Sequence, residues 1–490
     1  MDIWWLVGLS FLVVLGSILI LRMHAFLTLL LAGMLVASLT GEASLVRHAE
    51  QQAAKLKLTD EVQAQYVDSF VGTAAATRLT TAFGEMAGKI GILIALASVI
   101  GQCLLESRAA AAIVDRMLRV TGPRFAPEAM AASSFVIAIP VFFDTVFYLM
   151  VPLAKSLREK LGKDYVLYIL AIFAGGALAH SLVPPTPGPL FVAEAFGVSI
   201  ATMLLAGLVI GGLSSFCSLL AARVINHFVT VPLRDEGSSP QSPSAQDAPA
   251  GPLDPGNPDA DLPSPGLVES LLPILVPIAL ISVESIVTYW IDSQVIAEST
   301  GTRFVSLIGE KNTALAMGAV FAMTLMRYCP AARRSNLISR ALAAAGGVIL
   351  ITSAGGAFGA MLNQAGIAQA VAESTQGVPG LMLLPVAFAV TAAIRTLQGS
   401  ATVAMITAAG VLQGFAQSES LAFHPVYLAV AIGAGSKPIS WMTDSGFWII
   451  TRMTGMTEIE GLKTISILTI AMGLSALAIT MLCAWVLPGI

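Results

Sequence analysis

Long apolar stretches separated by short polar connections run along the whole chain. They predict membrane-crossing helices over residues 3–21, 24–39, 89–106, 165–200, 203–225, 267–290, 304–326, 341–362, 424–451 and 465–487. Segments such as 3–21, 267–290 and 465–487 suffice to cross roughly 30 Å of hydrocarbon. Two further apolar elements, 126–154 and 381–409, are broken near their middles, the first by Pro140 and Asp144. Residues 40–88 are mixed and partly amphipathic, which predicts an interfacial helix plus a loop. Residues 237–266 are Pro, Ser, Gly and Asp with no Lys or Arg, the composition of a disordered linker.

The linker divides the chain into halves that echo each other three times at nearly one spacing. GILIALASVIGQCLLESRA at 91–109 matches GVILITSAGGAFGAMLNQAGI at 347–367, with Gly101 facing Gly359. PVFFDTVFYL at 140–149 faces TLQGSATVAM at 396–405, and HSLVPPTPGPLF faces KPISWMTDSGFW. Identities are sparse, but order and spacing agree. The expected organisation is a first membrane repeat at 1–236, a cytoplasmic linker at 237–266 and a second repeat at 267–490.

Composition excludes a water-soluble globule: 56% of the 490 residues are apolar and only 11% charged. The MDIWW start lacks the basic residues of a cleavable leader, so a first transmembrane helix is expected. Four dispersed cysteines, Cys103, Cys217, Cys329 and Cys483, suggest neither a disulfide framework nor a metal cluster. Basic residues concentrate at 108–124, 155–163, 223–234 and 327–340, which the positive-inside tendency places in the cytoplasm. For 108–124 and 155–163 to share a side, the element between them must re-enter and leave where it began. The assignment closes with ten crossings and two re-entrant hairpins open to opposite faces. The expected fold is therefore an all-α polytopic membrane protein of two inverted repeats, with discontinuous transmembrane helices.

Chemistry is expected where helices break, because freed backbone groups are tolerated at membrane depth only inside protein or around a polar cavity. Pro184, Pro185, Pro187 and Pro189 put four prolines in six residues, with Gly188 among them. Thr186 adds a hydroxyl, and the half-helix that follows offers N–H groups to an anion. In the second half Lys437, Pro438, Asp444, Ser445 and Gly446 take the same place, with Lys437 aligned on His180. Asp444 can bind solute, relay protons or cap the next half-helix. The interrupted elements contribute Asp144 and Thr145 in one half, and Arg395, Gln398, Gly399, Ser400 and Thr402 in the other. Arg395 suits a carboxylate, and equally an internal salt bridge or an interfacial position.

A proton carrier needs a titratable group. His180 titrates near neutrality as a free side chain. Asp144, Asp444 and Glu284 are the other candidates, Glu284 because it is ionisable inside an apolar span. It lies outside the echoed segments and serves equally as a partner in an inter-helix hydrogen bond. No HExxH, GxSxG or GxxxxGK[ST] signature is present, which argues against a membrane hydrolase or an ATP-driven pump. A channel would need a continuous path, which mirrored breaks do not suggest.

HSLVPPTPGPLFVAEAFGV at 180–198, IPVFFDTVFYLMVPLAKSL at 139–157, RTLQGSATVAM at 395–405 and GAGSKPISWMTDSGFWI at 433–449 resemble the gluconate permease family of proton-coupled symporters. The similarity runs through nearly the whole chain; the linker is longer and more polar than the family pattern. The resemblance implies import of a sugar-acid anion, usually gluconate, with protons across a bacterial inner membrane. Family members also carry idonate, fructuronate, glycerate or D-serine. The wider group of ion transporters implies a homodimer with paired hairpins and a moving transport domain. The expected mechanism is alternating access, with Arg395 or Lys437 opposing the carboxylate and Thr145, Thr186, Gln398, Ser400, Thr402 and Ser445 around the hydroxyls. Protons are the expected coupling ion, with sodium the alternative. No cofactor, metal or nucleic acid is expected.

Overall fold

The computed structural model describes residues 3–21, 23–56, 59–232, 264–292, 294–367, 370, 380–416, 421–441 and 444–489. Nearly all of the linker expected at 237–266 lies outside them, as do the side chains of Gln398 and Ser445. No strand occurs among the described residues. The first half forms α1 (Ile3–Leu19), α2 (Ala25–Leu39), α3 (Glu42–Lys55), α4 (Asp60–Val71), α5 (Ala75–Glu106) and α6 (Ala109–Thr121). These are followed by α7 (Ala126–Ile137), α8 (Phe143–Leu161), α9 (Tyr165–Leu182), α10 (Pro187–Ala195) and α11 (Ile200–Phe228). The second half holds α12 (Leu267–Asp292), α13 (Thr300–Gly309), α14 (Lys311–Thr324), α15 (Ala331–Gln364) and α16 (Leu383–Gln398). It ends with α17 (Ala401–Ala416), α18 (Pro425–Gly435), α19 (Ser445–Thr454), α20 (Glu458–Gly461) and α21 (Ile467–Val486).

Six segments among the described residues are long and apolar enough to cross a membrane unaided: Ala75–Glu106, Tyr165–Ala195, Ile200–Phe228, Leu267–Thr288, Arg333–Gln364 and Glu458–Val486. The other crossings expected from the sequence fall on shorter helices. α11 exposes Val209, Leu213, Phe216, Leu220 and Val224 along one face, a stripe that lipid covers and water would not.

Residues 40–88 differ from the expected interfacial helix plus loop. The chain turns by 101° between α2 and α3, then forms α4, and α5 begins at Ala75 rather than near residue 89. The helical run of 75–88 is hidden in the sequence by Arg78, Glu85 and Lys89, which lower local hydropathy without breaking a helix. Arg78 is buried: its guanidinium donates to Gln364 Oε1 at 3.0 Å and to the Ala37 carbonyl at 3.1 Å, tying α2, α5 and α15 together.

Corresponding pieces of the two halves pack in corresponding ways. α5 lies along α15, α7 against α9, and α16 against α18. The contacts also cross between halves: α10 packs on α17, and α19 on α8. At the α7–α9 crossing a Cβ on Gly175 would lie 2.0 Å from the Ala131 carbonyl oxygen, so only glycine permits that approach. α9 is apolar on every side and almost entirely buried, as a central helix must be.

Candidate functional site

Both predicted breaks appear as interruptions of helices, the first almost wholly buried and the second with Ile439 and Trp441 exposed. α9 ends at Leu182 because Pro184, Pro185 and Pro187 cannot supply the next helical N–H groups, and α10 restarts with Pro187 in its first turn. α18 ends at Gly435 and α19 starts at Ser445. Two more helices begin at the same level. α8 starts after 138–142, and α17 starts after Gly399, whose φ of 89° and N–H bond to the Arg395 carbonyl at 2.8 Å close α16.

A cavity of about 300 Å³ lies among these four helix starts. Asp144, His180, Pro187, Arg395, Ser400, Thr402, Lys437, Asp444 and Gly446 all line it. Residues far apart in the sequence are thus brought to one place. Each helix start turns the positive end of its dipole toward the space.

Arg395 and Asp444 form a buried pair, Arg395 Nη2 donating to Asp444 Oδ2 at 2.5 Å. The same carboxylate oxygen accepts from Ser440 Oγ, and Oδ1 accepts from the Gly446 N–H at 2.9 Å, capping α19. Arg395 Nε donates to the Ser436 carbonyl at 3.1 Å. Its Nη1 is buried with no hydrogen-bond partner among the described residues. Lys437 is buried, and its Nζ donates to the Ala177 carbonyl of α9 at 3.0 Å. No carboxylate pairs with it among the described residues. His180, stacked obliquely on Phe142, leaves a buried Nδ1 without a hydrogen-bond partner among the described residues.

Asp144 stands in the first turn of α8, half-buried and facing the cavity, with no hydrogen-bond or ion-pair partner among the described residues. At α17, Ser400 Oγ accepts from the Val403 N–H at 3.4 Å. The Ala401 and Thr402 N–H groups find no acceptor among the described residues. α10 offers fewer donors because Pro187 and Pro189 have none.

Other predicted residues are elsewhere. Thr186 Oγ1 donates to the Val183 carbonyl at 2.6 Å and lines a much smaller crevice beside Ser98. Pro184 and Pro185 face an apolar crevice against Pro273 and Pro277 of α12. Gly188 lies against Met405, Pro189 is buried within α10, and Pro438 packs over Gly473. Thr145 follows Asp144 on α8 but does not line the cavity. Glu284 is on α12 beside Gly309, where its Oε1 accepts from Thr288 Oγ1 at 3.0 Å, so it does not reach the cavity. Sequence reasoning missed Phe173, Val348, Thr352, Ser436 and Thr469, which also line it. A hydroxyl inside an apolar run, as at Thr352 and Thr469, was the available signal.

The YdaH transporter of Alcanivorax borkumensis superposes with a TM-score of 0.60 at 15% identity, covering 84% of this chain and 88% of that one. MtrF of Neisseria gonorrhoeae gives 0.53 at 16% identity, covering 84% of each chain. These likenesses concern the fold. Apolar spans, broken helices and a sequence matched by permeases over most of its length define a multi-pass membrane transporter. The chain belongs to the GntP family of permeases, whose family model matches residues 68–486. An uncharacterized permease of Haemophilus influenzae is 33% identical over 394 residues, 78% of this chain and 77% of that protein. The low-affinity gluconate transporter of Escherichia coli K12 is 28% identical over 404 residues, 81% of this chain and 85% of that protein. The gluconate permease of Pseudomonas aeruginosa is 28% identical over 392 residues.

Proposed function

We propose that this transporter is a secondary symporter of the bacterial inner membrane that imports gluconate or a closely related sugar acid together with protons. The observation that carries the reading is the buried pair of cations, Arg395 and Lys437, on one cavity with only Arg395 held by a carboxylate. Lys437 has no ion pair of its own among the described residues and Arg395 Nη1 has no acceptor, so both can face a ligand carboxylate. The relatives named for gluconate support the substrate class. A volume of about 300 Å³ is at the small end of ligand sites, which suits a short-chain acid.

In this reading Arg395 Nη1 and the open amides of α17 receive the carboxylate, while Ser400 and Thr402 bond to hydroxyls. The crossed packing of α10 on α17 and α19 on α8 supports two inverted repeats around the cavity. Alternating access then moves one group of helices against another around a fixed site.

The test is uptake of labelled gluconate by the purified chain in sealed liposomes with an inward proton gradient, with unlabelled sugar acids, glycerate and D-serine as competitors. Saturable, gradient-dependent uptake is expected. Flux that neither saturates nor responds to the gradient would replace symport with a channel, and accumulation of a competitor alone would change the substrate.

A further inference from the structure

The charges around the cavity can be counted, and the count constrains what crosses with the substrate. Among the described residues, Arg395 and Lys437 contribute two positive charges, Asp444 and Asp144 two negative ones. His180 enters as neutral imidazole: its Nδ1 is buried with no acceptor for a second N–H among the described residues, and a third cation there would lack a counter-ion. The empty cavity is then balanced. A monoanion alone would leave a surplus negative charge at membrane depth, which a low-dielectric surrounding disfavours.

The two carboxylates are not equivalent. Asp444 is fixed by Arg395, Ser440 and the Gly446 N–H, three donors that occupy both of its oxygens. Asp144 has none of these. The helices packed on α8 bring His180 from α9 and Asp444 from the start of α19, which also carries Arg452, whose side chain lies outside the described residues. α7 contributes only Glu128, at its far end and paired with Arg223 of α11. Arg395 and Lys437 face Asp144 across the cavity, and Lys155, Arg158 and Glu159 of α8 lie toward its other end. Asp144 is therefore the carboxylate free to change protonation without dismantling the site.

We infer that Asp144 takes up one proton with each monoanionic substrate, so that the loaded cavity carries the same charge as the empty one and transport is electroneutral. The proton enters as an O–H on the Asp144 carboxyl from the outer solution and leaves to the inner solution after the substrate. No covalent bond of the substrate changes. Both occupancies are neutral, so membrane potential does no net work on the cycle. A dicarboxylate would carry a second charge with nothing to balance it, which makes the site selective for monocarboxylates. This deepens the proposed function and rests on it.

The experiment measures gluconate uptake in liposomes at a fixed pH gradient, with potassium diffusion potentials of either sign imposed by valinomycin. Wild-type uptake is expected to vary less than about twofold between inside-negative and inside-positive potentials. Stimulation by about tenfold or more at inside-negative potential overturns the inference, because it requires more than one proton per anion, while gluconate symport itself stands. Asp144→Asn should lose its response to the pH gradient and gain stimulation by inside-positive potential, since the anion then crosses uncompensated. A variant that keeps the wild-type pH response removes Asp144 from the role. The six-carbon dicarboxylate glucarate should compete at least about 100-fold more weakly than gluconate, and equal competition overturns the charge count. Saturable uptake of no sugar acid under any gradient overturns the functional reading, and the inference with it.

Discussion

At the break between α9 and α10 the chain is turned by prolines, whereas at the break between α18 and α19 it is turned by side chains that bond to the backbone. Four prolines in 184–189 remove the N–H groups a break would leave bare, and Thr186 satisfies the Val183 carbonyl from within. In the described part of the second break, 436–441, most of the groups stay and several receive partners. Ser440 N–H donates to Thr469 Oγ1 at 3.1 Å, Ser466 Oγ to the Ser440 carbonyl, and Arg395 Nε to the Ser436 carbonyl. Trp441 Nε1 reaches the Thr396 carbonyl at 2.7 Å. One break reduces the number of polar groups; the other organises them and brings charge. Two segments in equivalent places thus divide labour, the first shaping a wall and the second supplying the electrostatics.

The largest effect expected from this contrast follows Arg395→Gln, which removes the partner of Asp444 and a backbone donor together. Its KM for gluconate should rise by about 100-fold, equal to about 3 kcal/mol, with the protein still reaching the membrane. Saturation uptake at matched protein levels checks this, and an unchanged KM would return the binding role to Lys437.

A smaller effect compares one glycine at each break. A Cβ on Gly435 would lie 2.5 Å from the Phe388 carbonyl oxygen and 3.0 Å from its Cα, both backbone atoms of α16. A Cβ on Gly188 would meet the Met405 sulfur at 2.8 Å, and that flexible side chain can turn aside. Gly435→Ala should cost about 2 kcal/mol of stability and Gly188→Ala less than about 1 kcal/mol. Thermal unfolding in detergent measures the difference, and equal losses would show that both breaks are equally rigid. The smallest effect belongs to Glu284→Gln, which keeps the Thr288 contact and is remote from the cavity. The pH profile of uptake should not move, and a flattened profile would make Glu284 the proton carrier.

The helix breaks were legible because proline and glycine act through the local backbone. Arg395, Lys437, Asp144 and Asp444 were legible because a charge in an apolar run has few explanations. The use each would be put to was not. Asp444 takes two of its three donors, Ser440 and the Gly446 N–H, from its own segment, but the ion pair that sets it apart from Asp144, which has no partner among the described residues, depends on Arg395 arriving from another helix. Thr186 looked like a ligand group and is occupied by its own backbone. Val348 and Phe173 line the cavity yet read as any lipid-facing residue would, because an apolar helix does not record which of its sides meets a space.

The crossed packing of α10 on α17 and α19 on α8 has a consequence for biosynthesis. When the first half has been inserted, Asp144 and His180 stand in the bilayer with a half-built wall, and the guanidinium and ammonium that face Asp144 have not been translated. The site comes into existence only when α19 emerges, close to the end of the chain. A polypeptide released early would therefore display bare acidic and broken-helix surface within lipid, the kind of defect that membrane proteases recognise.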